Sequence, residues 1–302
     1  MIIFPELGHY GRLGNQMFQI ATLKALSLRN NCEPVLPHDI YERVNDGQLN
    51  LLNNFKLGIR TMEKTEMANF KGTYFYEYFD LHIENFNRIA RFDSATIDIE
   101  ANTAIKGYFE SERYFIDYKS EIKSCFELID TIDTFGSNYI DNLKRLNKKK
   151  IIGLHLRLND YIHWVKQMLD SDFETAQTFY IEQIIEYVNM VINTYLKDED
   201  YTLLIFCGGN TEEGNSNTRE IQWCKSVLPQ WKNRVFCEID DTIKEFSVMM
   251  KCDKFIITSR STLSWWAGYL NKNPNKTIYV PRTVIGPPYD PSFLWPNEFI
   301  QV

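Results

Sequence analysis

The chain has 302 residues, 44% apolar and 24% charged, which is the balance of a folded globular protein with length for two ordinary domains. Fourteen Gly and ten Pro exclude collagen-like and low-complexity sequence. Thirty-three basic against 40 acidic side chains give a net charge of -7, which argues against nucleic acid as a partner.

No run approaches the roughly 20 apolar residues that span a bilayer. The N-terminal MIIFPELGHYGRLGN lacks the basic flank of a signal peptide. The expectation is a cytoplasmic protein without a transmembrane segment, with peripheral contact at a membrane left open. The six cysteines form no CxxC pair and read as reduced thiols. The five histidines are scattered, and no His/Cys cluster has metal-ligand spacing, so no metal is expected.

In chain order, a strand is predicted over Ile2 to Leu7, then a glycine-rich loop at residues 8–14. A helical stripe follows, carried by Met17, Ile20, Ala21, Leu23, Ala25 and Leu28. Residues 34–37 read as a short extended piece, and residues 40–100 as irregular. GYFESERYF at 107–115 is short and aromatic. NLKRLNKKK at 142–150 reads as a solvated linker, which divides the chain into residues 1–145 and 146–302. The last residues are allowed to return to the first domain.

Beyond that point the character changes. IIGLHL (151–156), TLLIFC (202–207), RVFCEI (234–239), KFIITS (254–259) and TIYVP (277–281) read as strands, the first of them buried on both faces. A long helix is predicted over Phe173 to Leu196, and helical stretches lie between most of the strands. Alternation at this spacing means βαβ units, a parallel sheet and an α/β fold.

Three segments can carry chemistry. In GHYGRLGNQ (8–16) a glycine-rich turn meets a helix start, where backbone N–H groups and the helix dipole favour an anion. Arg12 adds a guanidinium suited to phosphate. In HLRLNDY (155–161), His155, Arg157 and Asp160 stand at the carboxyl end of a strand, where α/β sheets bind ligands. His155 and Arg157, two apart, project to one side. The structural alternative is an Arg157–Asp160 ion pair. In ITSRSTLSWWAGYL (257–270), small hydroxyl residues precede a helix and suit a phosphate. Trp265 and Trp266 offer stacking surfaces, although core packing is favoured for at least one. Asp240, Asp241 and Glu245 bring carboxylates near the preceding strand end. The triplets at 170–172 and 198–200 read as helix-start and loop charges.

All three segments suit anions, which points to a nucleotide diphosphate and transfer of a group from it. The same residues resemble a known family. GRLGNQMFQIATLKALS, GYFESERYF, HLRLNDY and the passage from Met249 through Cys252 to SRSTLSWWAGYL are similar, in this order, to four motifs of the alpha-1,2-fucosyltransferases of glycosyltransferase family 11. Parts of the pattern are shared with protein O-fucosyltransferases and alpha-1,6-fucosyltransferases.

The resemblance implies a GT-B architecture, two Rossmann-like domains facing across a cleft, with the acceptor side in the first. It implies inverting, metal-independent transfer of fucose from GDP-fucose to the 2-hydroxyl of a galactose-containing glycan, with no cofactor. By the same likeness Arg157 holds the β-phosphate and His155 lies beside the nucleotide. Glu245, or else Asp241, reads guanine, and Ser261, Thr262 and Ser264 face the phosphates. Gly11, Arg12, Gly14 and Asn15 close over the donor. His155 and Asp160 are the candidates for the base. Leu158 stands where the motif has a second arginine, FCGGN (206–210) replaces an FSDD, and Arg260 is a candidate to restore the lost charge. Two other readings stay open: a binding relative without activity, and a transferase using another sugar nucleotide.

Overall fold

Two separate parallel sheets organise the chain, and each has a strand with neighbours on both sides. The computed structural model describes residues 1–45, 48–77, 80–82, 87–89, 92–158, 160–208, 218–283 and 291–302.

The first unit comprises Met1–Ile129 with Pro288–Pro296. Its sheet contains β1 (Ile2–Ile3), β2 (Pro34–Val35), β3 (Thr73–Tyr76) and β4 (Thr103–Lys106), in the order β2-β1-β4-β3. All neighbours are parallel. Helix α1 (Leu13–Arg29) connects β1 to β2. The predicted first strand is cut short after Ile3. Pro5 has no N–H to give a ladder, and the Leu7 N–H turns back to the Phe4 carbonyl at 3.2 Å. Within the stretch expected to be irregular, TYFY forms β3. Its aromatic residues suit a pleated surface, and Thr73 lies opposite Thr103 of β4.

The second unit comprises Asp130–Pro287 with Asn297–Val302. It starts with α2 (Asp130–Asn147), ahead of the predicted boundary, because this helix packs on the helix Thr242–Met249 of the same unit. Lys144 pairs with Asp253 at 2.7 Å and Lys251 with Asp133 at 2.6 Å. The lysine run is not a linker. Lys150 opens a strand, Lys149 pairs with Asp200 at 2.9 Å, and Lys150 pairs with Glu199 at 3.2 Å.

The elements that follow are β5 (Lys150–Arg157), α3 (Asp160–Leu169), α4 (Phe173–Val191), β6 (Tyr201–Gly208), α5 (Thr218–Val227), β7 (Arg234–Phe236), α6 (Thr242–Met249), β8 (Lys254–Ile257), α7 (Thr262–Leu270), β9 (Thr277–Val280) and β10 (Ile300–Gln301). The sheet order is β7-β6-β5-β8-β9-β10, parallel throughout. From β5 the chain winds outward through β6 and β7, then reverses to β8 on the other side. β5 is therefore buried from Ile151 to Leu156, as its unbroken apolar run predicts. Ile152, Leu154, Leu156, Leu203 and Ile205 form the centre of a core that α3 and α4 cover with Val165, Tyr180, Ile184 and Val188.

Trp265 and Trp266 are both buried, which corrects the expectation of a stacking platform. Trp265 stacks on Tyr269 at 4.7 Å, so the pair is core. The cysteines are free thiols. Burial pushes Cys125 up to about 11 and Cys237 up to about 12, so both stay protonated at neutral pH. Among the described residues no helix is long and apolar enough to cross a membrane.

Candidate active site

Ligands in open α/β sheets bind outside the carboxyl ends of the strands, where the strand order reverses. In the second unit that place lies beyond β5 and β8. The two strands stay paired as far as Ile257 opposite His155. There the Thr258 hydroxyl donates to the His155 carbonyl at 2.8 Å. One turn into α7, the Ser264 hydroxyl meets His155 Nδ1. Ser261 occupies the N-cap of α7, and its hydroxyl accepts the Ser264 N–H at 3.4 Å. Thr262 opens the helix. The HLRLNDY and SRSTLS segments, about 100 residues apart in sequence, are thus joined by side-chain contacts.

Arg157, half-buried, ends β5 with its guanidinium carbon 5.3 Å from the centre of the Tyr161 ring. The Tyr161 hydroxyl donates to the Arg260 carbonyl at 2.6 Å, and the Tyr180 hydroxyl donates to the Arg157 carbonyl at 2.7 Å. Tyr161 therefore ties the backbone after β8 to the segment after β5. Asp160 begins α3, and its side chain lies outside the described residues. Of the FCGGN departure, Gly209 and Asn210 also lie outside them. Leu158 is buried in the core with Tyr161, Ile162 and Tyr180. The side chain at that position thus faces the interior.

Burial, and then the charge of Arg157, push His155 down to about 3. It is a neutral imidazole at physiological pH. Burial, with Asp240 adding a like charge, raises Glu245 to about 8. Its carboxyl oxygen Oε1 is buried with no hydrogen-bond partner among the described residues, and the same holds for Ser259 Oγ. Asp241 is committed differently. It caps α6, accepting the N–H groups of Ile243 and Lys244 at 3.1 Å each. Asp172 likewise caps α4 through the Thr175 N–H at 2.7 Å. Glu199 pairs with Lys150 and Lys254. The two acidic triplets are helix caps and ion pairs. Among the described residues no group of three or more His, Cys, Asp or Glu is placed to hold a metal.

In the first unit the glycine-rich loop leaves β1 and enters α1, with Arg12 at the cap position and Gly14 and Asn15 in the first turn. Gly11 has φ +74°, and a Cβ there would stand 2.7 Å from that of Asn15, so the turn requires glycine. The Gln16 carboxamide donates to the Gly11 carbonyl at 3.0 Å.

The sequence did not single out Arg43. This buried guanidinium donates to the carbonyls of Pro5 at 2.7 Å and Leu7 at 2.5 Å, and pairs with Asp39 at 2.7 Å. Burial raises the Asp39 carboxyl, but the hydrogen bond and charge of Arg43 outweigh this and hold it below the usual range. Tyr161, Thr258 and Arg43 act through backbone groups, and no local spacing announces such a role.

Residues 6–286 match the model of the family described as glycosyl transferase family 11. No curated protein matches the chain. Among solved structures, POFUT1 in complex with GDP is similar at 13% identity, over 92% of this chain and 97% of its own, with a TM-score of 0.51. The fucosyltransferase NodZ from Bradyrhizobium is similar at 14% identity over 88% and 91%, with a TM-score of 0.48. A mutant of Arabidopsis thaliana FUT1 in complex with GDP follows at 9% identity over 92% and 69%, with a TM-score of 0.47. The likeness to POFUT1 places the fold in the GT-B class.

Two measurements test this geometry. Leu158→Arg, which rebuilds the family motif, is expected to lower unfolding free energy by about 3 kcal/mol, because it puts a charge into an apolar core. Denaturant titration reads this, and an undiminished midpoint would refute the placement. His155 gives a pH signature. Its folded value lies below the unfolded 6.5, so between pH 6.5 and 3 the unfolded chain binds one more proton. Stability from this group is complete above pH 6.5 and falls as pH drops, by about tenfold in the folding constant per unit. His155→Gln should remove that slope, and an unchanged slope would show that His155 is not held neutral.

Proposed function

Because the chain belongs to glycosyl transferase family 11, we propose that it transfers fucose from GDP-fucose to the 2-hydroxyl of a galactose-containing glycan, with inversion and without a metal ion. The observation that carries this reading is the joined end of β5 and β8. One half-buried arginine and the hydroxyl-rich start of α7 lie there, and the first turn of α6 carries a buried carboxyl with one oxygen that has no hydrogen-bond partner among the described residues.

The chemistry follows from the charges. As the bond from the anomeric carbon to the diphosphate lengthens, negative charge grows on the β-phosphate and positive character on the sugar. Arg157 stabilises the diphosphate through bidentate hydrogen bonds, its planar group steadied over Tyr161. The N-terminus of α7, with Ser261, Thr262 and Ser264 around it, adds N–H and hydroxyl donors. The galactose hydroxyl attacks the opposite face in a single displacement.

His155 is too weakly basic to take the acceptor proton, and its Nδ1 is already engaged by Ser264. Its role is to orient the Ser264 hydroxyl. Asp160 is then the proposed base, by its place in the motif. Glu245 reads guanine, whose N1–H and amino group donate to a carboxylate. In the first unit Gly11, Arg12, Gly14 and Asn15 are the proposed donor-facing residues.

Leu158 bears on the inactive alternative. Its side chain is packed in the core, which supports reading it as a structural rather than a phosphate-facing position. The fucosyltransferase reading survives that departure.

Arg157→Ala is expected to lower transfer from GDP-fucose by about two orders of magnitude. Wild-type turnover should be equal in EDTA and in magnesium. Wild-type rates in the variant, or a strict need for magnesium, would overturn the reading. Glu245 provides a second test. It is protonated at neutral pH in the free protein and must ionise to accept from guanine. GDP affinity should rise with pH up to about 8, by as much as about tenfold per unit, with release of a proton. Calorimetry in buffers of different ionisation enthalpy reads that proton. Glu245→Gln, as the reference for titration of GDP itself, should abolish the difference.

A further inference from the structure

Glu77 lies outside every motif, directly after β3, and is 5% exposed. Tyr108, Phe109 and Tyr114, which it holds, belong like it to the first unit. One carboxylate oxygen, Oε2, accepts the N–H groups of Tyr108 at 2.8 Å and Phe109 at 2.9 Å. The other, Oε1, accepts the Tyr114 hydroxyl at 2.8 Å. The backbone N–H of Glu77 continues the ladder to the Lys106 carbonyl at 2.9 Å.

Two successive N–H groups converging on one oxygen form an anion-binding concavity, and here the anion is the protein's own. The turn is strained. Phe109 has φ +51°, a conformation that bulky residues rarely adopt and that persists only where its surroundings enforce it. The carboxylate enforces it. A Cβ at Gly107 would stand 2.5 Å from that of Glu77, so the approach also requires a glycine.

This turn is tied in turn to the glycine-rich loop. The Tyr10 hydroxyl donates to the Gly107 carbonyl and accepts the Gly107 N–H, both at 3.0 Å. The Tyr10 and Tyr108 rings meet edge to face at 5.0 Å. From inside α1, the Gln19 carboxamide also donates to the Gly107 carbonyl, at 3.1 Å. Burial raises both Tyr10 and Tyr114 above the ordinary phenol range, so both remain donors. Glu77 is therefore connected to the loop that carries Gly11 and Arg12 through the 107–109 backbone and the Tyr10 side chain.

We propose that Glu77 is a positioning residue for sugar transfer: through the Gly107–Phe109 turn and Tyr10 it holds the glycine-rich loop in its working conformation. The proposal rests on the reading that this loop faces the donor. Tyr108 and Phe109, which belong to the GYFESERYF motif, then have a physical role. They supply the N–H groups that receive the carboxylate.

The test combines hydrogen exchange with kinetics. In Glu77→Ala, amide exchange should accelerate in peptides covering residues 4–16 as well as 104–112. The kcat with GDP-fucose should fall by roughly tenfold or more, while the Kd for GDP, whose proposed phosphate and guanine contacts Arg157 and Glu245 lie in the second unit, changes by less than about threefold. Glu77→Gln keeps an oxygen that accepts both N–H groups and should recover most of the rate. Phe126→Leu, a cavity at the Phe55 contact in the same unit, gives the loss that destabilisation alone produces. Unchanged exchange in the 4–16 peptide of Glu77→Ala would overturn the proposal, as would a fall in kcat no larger than that of Phe126→Leu. The exchange comparison needs no substrate. A wild-type protein that transfers no fucose would instead overturn the functional reading.

Discussion

The hydrogen bond from the Thr258 hydroxyl to the His155 carbonyl stands where the second sheet runs out of ladder. Up to Ile257, β5 and β8 satisfy each other's backbone groups. Beyond it the strands part, because one chain turns into α3 and the other into α7. A buried carbonyl at such a point needs a donor, and an unpaired one costs about as much as a lost hydrogen bond. Thr258 supplies the donor, Ser264 engages the His155 ring, and Tyr161 supplies another donor to Arg260. The backbone is therefore satisfied where the strand order reverses, at the end of β5 that Arg157 closes.

Burial also sets the charges there. His155 and Glu245 are both held neutral at physiological pH by the loss of solvation, while Arg157, half exposed, keeps its charge. The overall charge of -7 has no bearing on this. Arg157 is thus a local cation beside a neutral histidine, an arrangement that suits an anion even within an acidic protein. His155 illustrates the difference between residue type and role. A histidine beside a reacting centre suggests a base, yet desolvation and a neighbouring guanidinium remove its basicity and leave a rigid hydrogen-bonding group.

The strands of the second unit were legible because a strand buried on both faces needs an unbroken apolar run, and IIGLHL and TLLIFC are such runs. Loops at strand ends were legible through glycine and small hydroxyl residues. The edge strand β3 was not, since TYFY is short and becomes a strand only by pairing with β4. Nor was the unit boundary. A charged run resembles a linker, whereas Lys149 and Lys150 are neutralised by Asp200 and Glu199, which are distant in sequence. Leu158 read as a missing phosphate ligand because a motif records side chains without their direction. The buried Arg43 and Glu77 carry no local signal, because the groups they serve lie about 30 residues or more away in the chain.

Those two residues show how a turn can be held by a side chain distant from it in sequence. Arg43, a donor, takes the carbonyls of Pro5 and Leu7, while Glu77, an acceptor, takes the N–H groups of Tyr108 and Phe109. In the second unit Thr258 and Tyr161 do the same for the carbonyls of His155 and Arg260. Charge sign follows from backbone chemistry: a cation where carbonyls converge, an anion where N–H groups do. Backbone shape at each of these points is then set in part by side chains distant in sequence. A side chain such as that of Arg157 can be exchanged with the turn around it intact, so its removal should act on chemistry more than on folding. Removal of Glu77 or Arg43 alters the turn itself, and any chemical consequence follows from the displaced loop.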